Sequence, residues 1–415
     1  MSTYIDLNYT PDSNDIVCLF RVEPAVGVSF EDAVDAVVGE SSIGTWTDIS
    51  TINEKIRNEL RPYAYSMSKE DFLVKVAYPL ELFELGNLPQ LLSSVTGNIF
   101  GMKHLQNLRM EDIILPKKYV KSFPGPKFGV RNVRKMLEIK DRPVVGTIVK
   151  PKVGLNPKEW TDAAFEALSG GCDFVKDDEN LTDQGFCRFN ERAPLVLNMI
   201  NKLEKSSRRK FGYGCNISAS VETMVKRAEL IKKHGGMYMM IDVITVGFSG
   251  LQYMRNLDLG LAIHAHRAMH AAITRNKKHG ISMLALAKLY RLAGVDQLHV
   301  GTAVGKMEGP ALEVKAIKDE MLSESKDWCG LKQVFPVCSG GLHAGHIPEL
   351  MKLMGKDIVI QAGGGVYGHP DSPKAGAASM RQAVDAVMEG IPLEEYAKNH
   401  GELKRALEKF EAKNS

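Results

Sequence analysis

The stretch 143–150 reads PVVGTIVK and is the first of eight short apolar runs rich in β-forming residues. The others are CDFVKDD (172–178), FGYGCNIS (211–218), MYMMIDVI (237–244), LAIHAHR (261–267), QLHVGT (297–302), VFPVCSGG (334–341) and DIVIQAGG (357–364). Helical patterns, with apolar residues three and four apart, lie between them, as at 157–168, 222–233 and 283–293, and another follows the last run at 377–388. Eight strands that each precede a helix predict an α/β protein built on a (β/α)8 TIM barrel rather than an open doubly wound sheet.

The chain before residue 125 or so has a different pattern. Strands at 15–21 and 72–78 and a helix at 29–38 are predicted there, without regular alternation of strand and helix. We therefore expect a smaller α+β domain over residues 1–125 and a barrel domain with C-terminal helices over 126–415, joined at the turn-rich PGPKFG stretch (124–129). The charged tail after residue 391 predicts a solvated outer helix.

Bulk composition excludes several function classes. The 415 residues include 53 Lys plus Arg and 50 Asp plus Glu, so a formal charge of +3 favours neither nucleic acid nor an acidic membrane as a partner. Six cysteines without a C-x-x-C pair favour reduced thiols. The N-terminus does not resemble a signal peptide, and no apolar run reaches about 18 residues. We expect a cytoplasmic protein.

Polar residues collect at the carboxyl ends of the predicted strands, which form the active face of such a barrel. A scattered mixture is expected of strand ends that carry no function. The residues concerned are Lys150, Lys152, Lys176, Asp178, Glu179, Asn216, Asp242, His264, His266, His299, Ser339, Gly340, Gly341, Gly363, Gly364 and Gly365.

The strand-two end carries the first chemical hypothesis. Asp178 and Glu179 offer the oxygen ligands that Mg2+ prefers. Lys176 shares a strand face with Asp178, and two interpretations of it stay open. It could form a plain ion pair, or its amine could react with CO2 to give a carbamate, which would supply a third anionic oxygen ligand.

Two glycine clusters, SGG (339–341) and GGG (363–365), follow the last two strands, the usual phosphate corner of such barrels. Arg267 and His299 could hold a second anion across the barrel mouth, so a substrate with two phosphates fits the layout. The segment 301–309 has glycines spaced to hinge a loop with Lys306 near its tip. It lacks the ending of a P-loop, and we interpret it as a mobile lid, with a solvated lysine on an ordinary loop as the alternative.

These motifs resemble the large subunit of ribulose-1,5-bisphosphate carboxylase/oxygenase (RuBisCO), in that family's order. The matching stretches in the barrel are GTIVKPKVG (146–154), GGCDFVKDDEN (170–180), HAHRAMHA (264–271), HVGTAVGKMEG (299–309), PVCSGG (336–341) and QAGGGVYGHP (361–370). Before the barrel, GESSIGTWT (39–47) and GNIFGMK (97–103) resemble the motifs of the N-terminal domain. The stretch 264–291 is most similar to the archaeal form III group.

The resemblance implies a role for each matching position. Lys176 matches the lysine that becomes the carbamate, with Asp178 and Glu179 as the other Mg2+ ligands, and Lys150 matches a lysine that handles protons. The remaining catalytic positions implied are Lys152, His266, the lid residue Lys306, and Glu40 and Asn98 from the N-terminal domain. The implied substrate contacts are Arg267, His299 and Ser339 around one phosphate, and Gly341, Gly363, Gly364, Thr45 and Trp46 around the other. Gly340 is a further implied substrate-binding residue.

The family resemblance also implies an activity and an assembly. The activity is Mg2+-dependent addition of CO2, with competing O2, to an enediolate of ribulose 1,5-bisphosphate, giving two molecules of 3-phosphoglycerate in the carboxylation. The N-terminal domain would complete the site of a neighbouring subunit, so a homodimer or an assembly of dimers is expected, without a small subunit. The alternatives are a RuBisCO-like enolase or isomerase of a methylthio sugar phosphate and a non-catalytic binding protein.

Overall fold

The computed structural model describes residues 4–45, 47, 49–304 and 311–411. The strands are β1 (Ile16–Pro24), β2 (Tyr63–Ser68), β3 (Leu73–Tyr78), β4 (Leu105–Ile114), β5 (Val144–Ile148), β6 (Phe174–Lys176), β7 (Gly212–Asn216), β8 (Tyr238–Asp242), β9 (Ala262–His266), β10 (Gly280–Ile281), β11 (Gln297–His299), β12 (Phe335–Ser339) and β13 (Val359–Gln361).

The α-helices follow the same chain order. They are α1 (Phe30–Glu40), α2 (Glu54–Leu60), α3 (Leu88–Val95), α4 (Lys117–Val120), α5 (Gly129–Leu137), α6 (Pro157–Gly170), α7 (Phe189–Ser207), α8 (Val221–Lys233), α9 (Val243–Asn256), α10 (His270–Thr274), α11 (Met283–Ala293), α12 (Ala311–Leu322), α13 (Ile347–Met354), α14 (Gly363–Tyr367), α15 (Pro373–Glu389), α16 (Leu393–Tyr396) and α17 (Gly401–Glu411). Short 3-10 helices lie at Leu80–Leu82, Asn98–Gly101, Lys326–Trp328, Ala344–His346 and Ala397–Asn399.

The chain divides into two compact units, and the larger contains the barrel. This unit comprises Pro126–Ala268, Gly294–Ser323 and Lys332–Ser415. Eight parallel strands close in the order β5, β6, β7, β8, β9, β11, β12, β13, with β13 pairing back to β5. Each lies within one of the eight predicted runs, so the predicted (β/α)8 barrel is confirmed.

Helix α5 closes the amino-terminal end of the barrel. Its residues Val130, Val133 and Leu137 are buried in one apolar cluster with the first residues of six strands, among them Val144 and Phe174. This packing fills one end of the barrel with side chains and leaves the carboxyl ends of the strands for chemistry.

The smaller unit is built on a five-stranded sheet in the order β10, β4, β1, β3, β2. Strand β1 pairs antiparallel with β3 and β4, and β10 pairs parallel with β4. Ser29 caps the first turn of α1, which buries Phe30, Val34 and Val37. The predicted α+β character of this region is confirmed, although β2 and β4 were not predicted.

The smaller unit also takes in two segments that the sequence analysis assigned to the barrel domain. It comprises Met1–Gly125, Met269–Ala293 and Glu324–Leu331. Arg109 on β4 is 1% exposed and donates to the carbonyl oxygens of Thr274 (3.1 Å) and Asn276 (2.6 Å). The segment that contains α10, β10 and α11 therefore provides hydrogen-bond acceptors for the buried guanidinium of Arg109 on β4.

The C-terminal tail differs from the solvated helix that its charge predicted. Helix α17 is amphipathic, and it buries Leu403 and Ala406. The Phe410 ring stacks on His343, with ring centroids 4.8 Å apart. None of the described helices has the length and apolar composition that a membrane span requires.

Candidate active site

The predicted site residues of the barrel stand at the carboxyl ends of its strands. Six strands end on one of the residues singled out from the sequence, and most of the others lie within four residues after a strand. The strand-terminal residues are Lys176 (β6), Asn216 (β7), Asp242 (β8), His266 (β9), His299 (β11) and Ser339 (β12). Lys150 and Lys152 follow β5, and Gly363 and Gly364 open α14 after β13.

The acidic turn after β6 carries two carboxylates that are already paired with lysines. Asp178 is 1% exposed, and its Oδ2 lies 2.6 Å from Lys150 Nζ. Lys152 Nζ lies 3.1 Å from Glu179 Oε1 and 3.9 Å from Asp178 Oδ1. The hydrogen bond to Glu179 raises the pKa of Lys152. Two cations thus stand against the oxygens that the sequence predicts as metal ligands.

Lys176 itself forms no such pair. Its side chain is fully buried, and its Nζ lies 2.7 Å from the Asp177 carbonyl oxygen and 3.5 Å from Met240 Sδ. Among the described residues, no carboxylate forms a salt bridge with it. Burial lowers the pKa of this amine, although the charges of Glu179 and Asp178 oppose the shift. The structure therefore does not support the ion-pair interpretation of Lys176.

A buried network fixes the turn on which Lys176 and Asp178 stand. Asp177 and Arg192 are both fully buried, and Arg192 Nη2 lies 3.1 Å from Asp177 Oδ2. The same carboxylate accepts from the Tyr213 hydroxyl (2.9 Å) and the Asn216 amide (2.9 Å). Since Asp177 points into this network, its two neighbours in sequence point the other way. The sequence motif contained Asp177 but gave it no role.

His266 is oriented by a chain of polar side chains at the ends of β7, β8 and β9. Asn216 Nδ2 donates to Asp242 Oδ2 (3.3 Å), and Asp242 Oδ1 lies 3.0 Å from His266 Nδ1. The opposite ring nitrogen, Nε2, lies 3.8 Å from Glu179 Oε2. Burial lowers the pKa of His266 more than the Asp242 hydrogen bond raises it. His266 is thereby directed at the acidic turn as an imidazole with a reduced tendency to carry charge.

A second set of histidines lies beside it. His264 Nδ1 is 2.6 Å from Gln297 Oε1, and His264 Nε2 is 3.0 Å from His299 Nε2. His299 Nδ1 is 2.8 Å from Ser339 Oγ. The rings of His264 and His266 both lie close to that of His299, with centroids 5.0 and 4.6 Å from it. Gln297 was not a candidate, because a single glutamine in an apolar strand matches no motif.

Both predicted phosphate corners have features suited to an anion. Gly340 and Gly341 have φ of +123° and +68°, which side-chain-bearing residues rarely adopt. A Cβ on Gly363 would lie 2.9 Å from Lys150 Cε, so this backbone approaches the lysine closely. On the other side, a Cβ on Gly301 would lie 2.6 Å from Arg267 Nη2. Burial lowers the pKa of the Arg267 guanidinium to about 10, which leaves it charged at neutral pH.

Three predicted site residues with described positions belong to the smaller unit. Glu40 ends α1, Thr45 lies exposed in the loop that follows, and the exposed Asn98 begins a 3-10 helix. Glu40 and Thr45 line one cavity of about 520 Å3 within this unit. The other two predicted residues, Trp46 and Lys306, fall outside the described residues.

Comparisons with known proteins cover nearly the whole chain. Residues 3–119 match the family described as the ribulose bisphosphate carboxylase large chain, N-terminal domain, and residues 129–410 match the catalytic domain of the same chain. A ribulose bisphosphate carboxylase from Pyrococcus furiosus is 51% identical over 410 residues, which cover 98% of this chain and 97% of that protein.

Solved structures agree with this match. The octameric RuBisCO of Pyrococcus horikoshii OT3, crystallised with sulfate, has a TM-score of 0.94 at 49% identity and covers 98% of this chain and 96% of its own. The dimeric archaeal RuBisCO of Hyperthermus butylicus has a TM-score of 0.92 at 46% identity, with 98% of each chain covered. The similarity therefore includes both units and extends to archaeal proteins of this type.

Proposed function

We propose, from the premise that the chain belongs to the family of ribulose bisphosphate carboxylase large chains, that it adds CO2 to ribulose 1,5-bisphosphate. Carboxylation would give two molecules of 3-phosphoglycerate, and O2 would compete for the same enediolate. The observation that carries the proposal is the buried amine of Lys176, which has no carboxylate partner among the described residues and stands beside Asp178 and Glu179 at the open end of the barrel.

The site contains groups suited to proton transfer next to a ketone. Lys150 and Lys152 place two ammonium groups at the carboxylates of the turn, where they would stabilise negative charge on a bound enediolate. Lys150 is the group that we assign to proton handling, because it reaches Asp178, the more buried of the two proposed ligand carboxylates, and is itself partly exposed. His266, held by Asp242, is a second basic group on the same face.

The donor set fits Mg2+ if Lys176 is modified by CO2. Among the described residues, no three His, Cys, Asp or Glu side chains are grouped to hold a metal, so a carbamate on Lys176 would be the third anionic oxygen ligand beside Asp178 and Glu179. The neutral Lys176 amine can attack the carbon of CO2, release its proton to solvent and become a carbamate anion. Its lowered pKa favours the neutral amine that this reaction requires. When bound there, Mg2+ would polarise the substrate carbonyl and favour loss of the adjacent proton.

The two phosphate groups of the substrate would be held at opposite sides of the mouth. Arg267 supplies a partly buried cation directly after β9, and Ser339 ends β12 on the same face of the barrel. The backbone of Gly341, Gly363 and Gly364 supplies amide donors at the other corner, where α14 begins. We assign Lys306 to a lid over the site.

We propose a homodimer, or an assembly of dimers, in which Glu40, Thr45, Trp46 and Asn98 complete a neighbouring subunit's site. Dimeric and octameric archaeal relatives support this proposal. Mixing inactive Glu40→Gln subunits with inactive Lys176→Ala subunits should restore activity once the subunits exchange. Failure to restore activity after demonstrated exchange would mean that each chain builds its own site. The cytoplasmic location stays a prediction.

The carboxylase function is tested by supplying Mg2+, 14C-labelled CO2 and ribulose bisphosphate without oxygen. We expect label in 3-phosphoglycerate, and no label with Lys176→Ala. Exchange of the substrate proton into water with no label in the product would instead support an enolase of the same family. The whole-chain similarity to carboxylases favours the first outcome.

A further inference from the structure

The C-terminal helix α17 contacts both segments that contain the glycines of one proposed phosphate corner. The first is the β12 loop (340–346), which includes Gly341. The second is the α14 segment (363–369), which begins with Gly363 and Gly364. The proposed function gives this helix no role, although it joins two parts of the site that are distant in sequence.

The last turns of α17 pack on the β12 loop. The Phe410 ring stacks on the His343 ring, with centroids 4.8 Å apart and an angle of 12° between the ring planes. A Cβ on Gly345 would lie 3.5 Å from Leu407 Cδ2, so a second residue of the helix reaches the same loop. His343 follows Gly341 by two residues. The aromatic stack is therefore made close in sequence to a proposed phosphate-binding glycine.

The same helix holds the end of the α14 segment. His369 has a fully buried side chain, and its Nδ1 accepts from the Asp371 amide at 3.1 Å. The hydrogen of this ring therefore lies on Nε2, which donates to the Glu402 carbonyl oxygen at 2.9 Å. A Cβ on Gly368 would lie 3.9 Å from Phe410 Cζ. Phe410 thus borders both segments.

The two segments also touch each other directly. A Cβ on Gly365 would lie 2.4 Å from the Leu342 carbonyl oxygen and 2.8 Å from His343 Cα. Contacts this close leave no room for a side chain, so the backbone of the β12 loop rests on the backbone of α14. A shift of His343 is therefore passed to the turn that starts with Gly363 and Gly364.

His343 contributes a ring face at this contact rather than a hydrogen bond from Nδ1. Its ring centroid lies 3.7 Å from that of His346, and Nδ1 of each ring is buried without a hydrogen-bond partner among the described residues. Burial and the neighbouring His346 lower the pKa of His343 to about 4, and burial lowers the pKa of His346. Neutral rings can pack against Phe410 without the cost of burying a charge.

We propose that Phe410 and His343 are positioning residues, whose stack keeps the β12 loop on α14 and so sets the spacing of Gly341 and Gly363 around one phosphate of the substrate. This inference rests on the proposed function, since it concerns the phosphate corner of that site. The phosphate is not changed in the reaction, so a loosened corner weakens binding of the substrate and of the transition state alike. Such a loss raises KM and leaves kcat almost unchanged.

The first test needs no substrate. Backbone amide hydrogen exchange of the full-length protein, followed by mass spectrometry, reports on peptides that cover 340–346 and 363–369. Loss of the stack in Phe410→Ala should speed exchange in both segments about fivefold. Unchanged exchange in either segment would overturn the proposal. If Phe410→Ala fails to fold, Phe410→Leu replaces it, because leucine fills much of the space without a ring.

Tyr396 offers a matched control. Its ring stacks on His400, with centroids 4.0 Å apart and an angle of 3° between the planes, and both residues belong to the C-terminal segment itself. Tyr396→Ala therefore removes the same kind of aromatic–histidine stack without removing a contact to the β12 loop. Exchange in 340–346 and 363–369 should not change in this variant. Equal effects of Tyr396→Ala and Phe410→Ala would mean general loosening of the C-terminal segment and would overturn the proposal.

The second test is kinetic. Phe410→Ala and His343→Ala should each raise KM for ribulose bisphosphate about fivefold, with kcat changed by less than about twofold. His343→Phe keeps a flat ring at the same place, so its KM should stay that of the natural protein. A fall in kcat at unchanged KM, or a His343→Phe variant as impaired as His343→Ala, would contradict the positioning role.

A binding measurement separates this inference from the carboxylase function. Absence of labelled product with the unmodified protein would reject carboxylation, and calorimetric titration with inorganic phosphate would still test the corner. Phe410→Ala should then bind phosphate about fivefold more weakly, and Tyr396→Ala should bind it as the natural protein does. Equal phosphate affinity of Phe410→Ala and the natural protein, or no phosphate binding by the natural protein, would overturn the proposal.

Discussion

Lys150 Nζ lies 2.6 Å from Asp178 Oδ2, so the most buried carboxylate of the proposed metal site already has a cation against it. Lys152 stands in the same relation to Glu179, at 3.1 Å. A divalent cation that binds these oxygens has to compete with two ammonium groups. Lys150 and Lys152, which we propose for catalysis, are thus also counter-ions of these carboxylates, and Mg2+ bound at Asp178 and Glu179 would free them to interact with substrate.

Replacing Lys150 should therefore strengthen metal binding while it abolishes turnover. A partly exposed ion pair contributes up to about 1 kcal/mol, so Lys150→Met should bind Mn2+ or Mg2+ about fivefold more tightly. The measurement is a titration followed by Mn2+ electron paramagnetic resonance in the presence of bicarbonate. Lys158→Met is the control, because Lys158 pairs with Asp162 on the exposed surface of α6. Weaker metal binding by Lys150→Met would show that Lys150 supports the site instead of competing for it.

Lys176→Met should abolish activity without preventing folding. Methionine has a similar length, and the hydrogen bonds of the Lys176 amine within the described part of the chain go only to the Asp177 carbonyl oxygen and Met240 Sδ. We therefore expect activity to vanish while the melting temperature holds or rises. Burial lowers the pKa of Lys176 in the folded protein below its unfolded value of 10.5. The unfolded chain therefore binds more protons than the folded chain, and the free energy of unfolding of the natural protein increases as pH rises toward 10.5. Any excess of the melting temperature of Lys176→Met over that of the natural protein should therefore become smaller between pH 7 and pH 9.5. A lower melting temperature at pH 7 would contradict this account.

The barrel strands could be predicted because parallel strands are buried on both faces and form continuous apolar runs. All eight observed strands fall within such runs. Strand β4 was missed for the opposite reason: its sequence LQNLRMEDII includes Arg109 and Glu111, and its pairing with β10 depends on contacts with residues more than 160 positions away. The same long-range contacts place the correctly predicted helix 283–293 in the smaller unit.

Residue types and their positions on strands predicted which residues lie at the site, but not which of their side chains contact one another. Lys176, Asp178 and Glu179 form a recognisable turn, and strand ends collect at one face of a barrel. The pairing of Lys150 with Asp178 depends on side-chain reach between β5 and β6, and the hydrogen bonds from Gln297 to Ser339 depend on register across three strands. Neither relation leaves a local pattern in the sequence.

Asp173 should make the free energy of unfolding depend on pH in the acidic range. It is 2% exposed at the amino-terminal end of β6 and binds Arg142, Arg209 and Arg381 at 2.7 to 3.0 Å. Burial would raise its pKa, but the charge of Arg381 and the contacts with Arg142 hold it at about 2. Because the pKa of Asp173 is lower in the folded than in the unfolded protein, its ionised carboxylate stabilises the fold above pH 3.8. This stabilisation is lost as pH falls toward 2.

We expect Asp173→Asn to lose about 2 kcal/mol of unfolding free energy at pH 7, with the difference unchanged down to about pH 5 and narrowing below pH 4. Urea unfolding at a series of pH values measures it. Asp162→Asn is the control, since Asp162 forms an exposed pair with Lys158. A difference that stays constant down to pH 3 would mean that Asp173 acts through packing rather than charge.

Gly363 should be required for the placement of Lys150 rather than for folding. It opens α14 with a φ that other residues accept, and alanine is the better helix former. A Cβ there would lie 2.9 Å from Lys150 Cε, so the flexible lysine rather than the backbone has to move. A displacement of about 1 Å at a catalytic group can cost up to about a hundredfold in rate.

Gly363→Ala should therefore keep its melting temperature and lose at least about tenfold in kcat/KM. The control is Gly401→Ala at the start of α17, where a Cβ would meet open space, and it should change neither the melting temperature nor kcat/KM. Equal activity of the two variants would show that Lys150 tolerates displacement, and its assignment to proton handling would then fail.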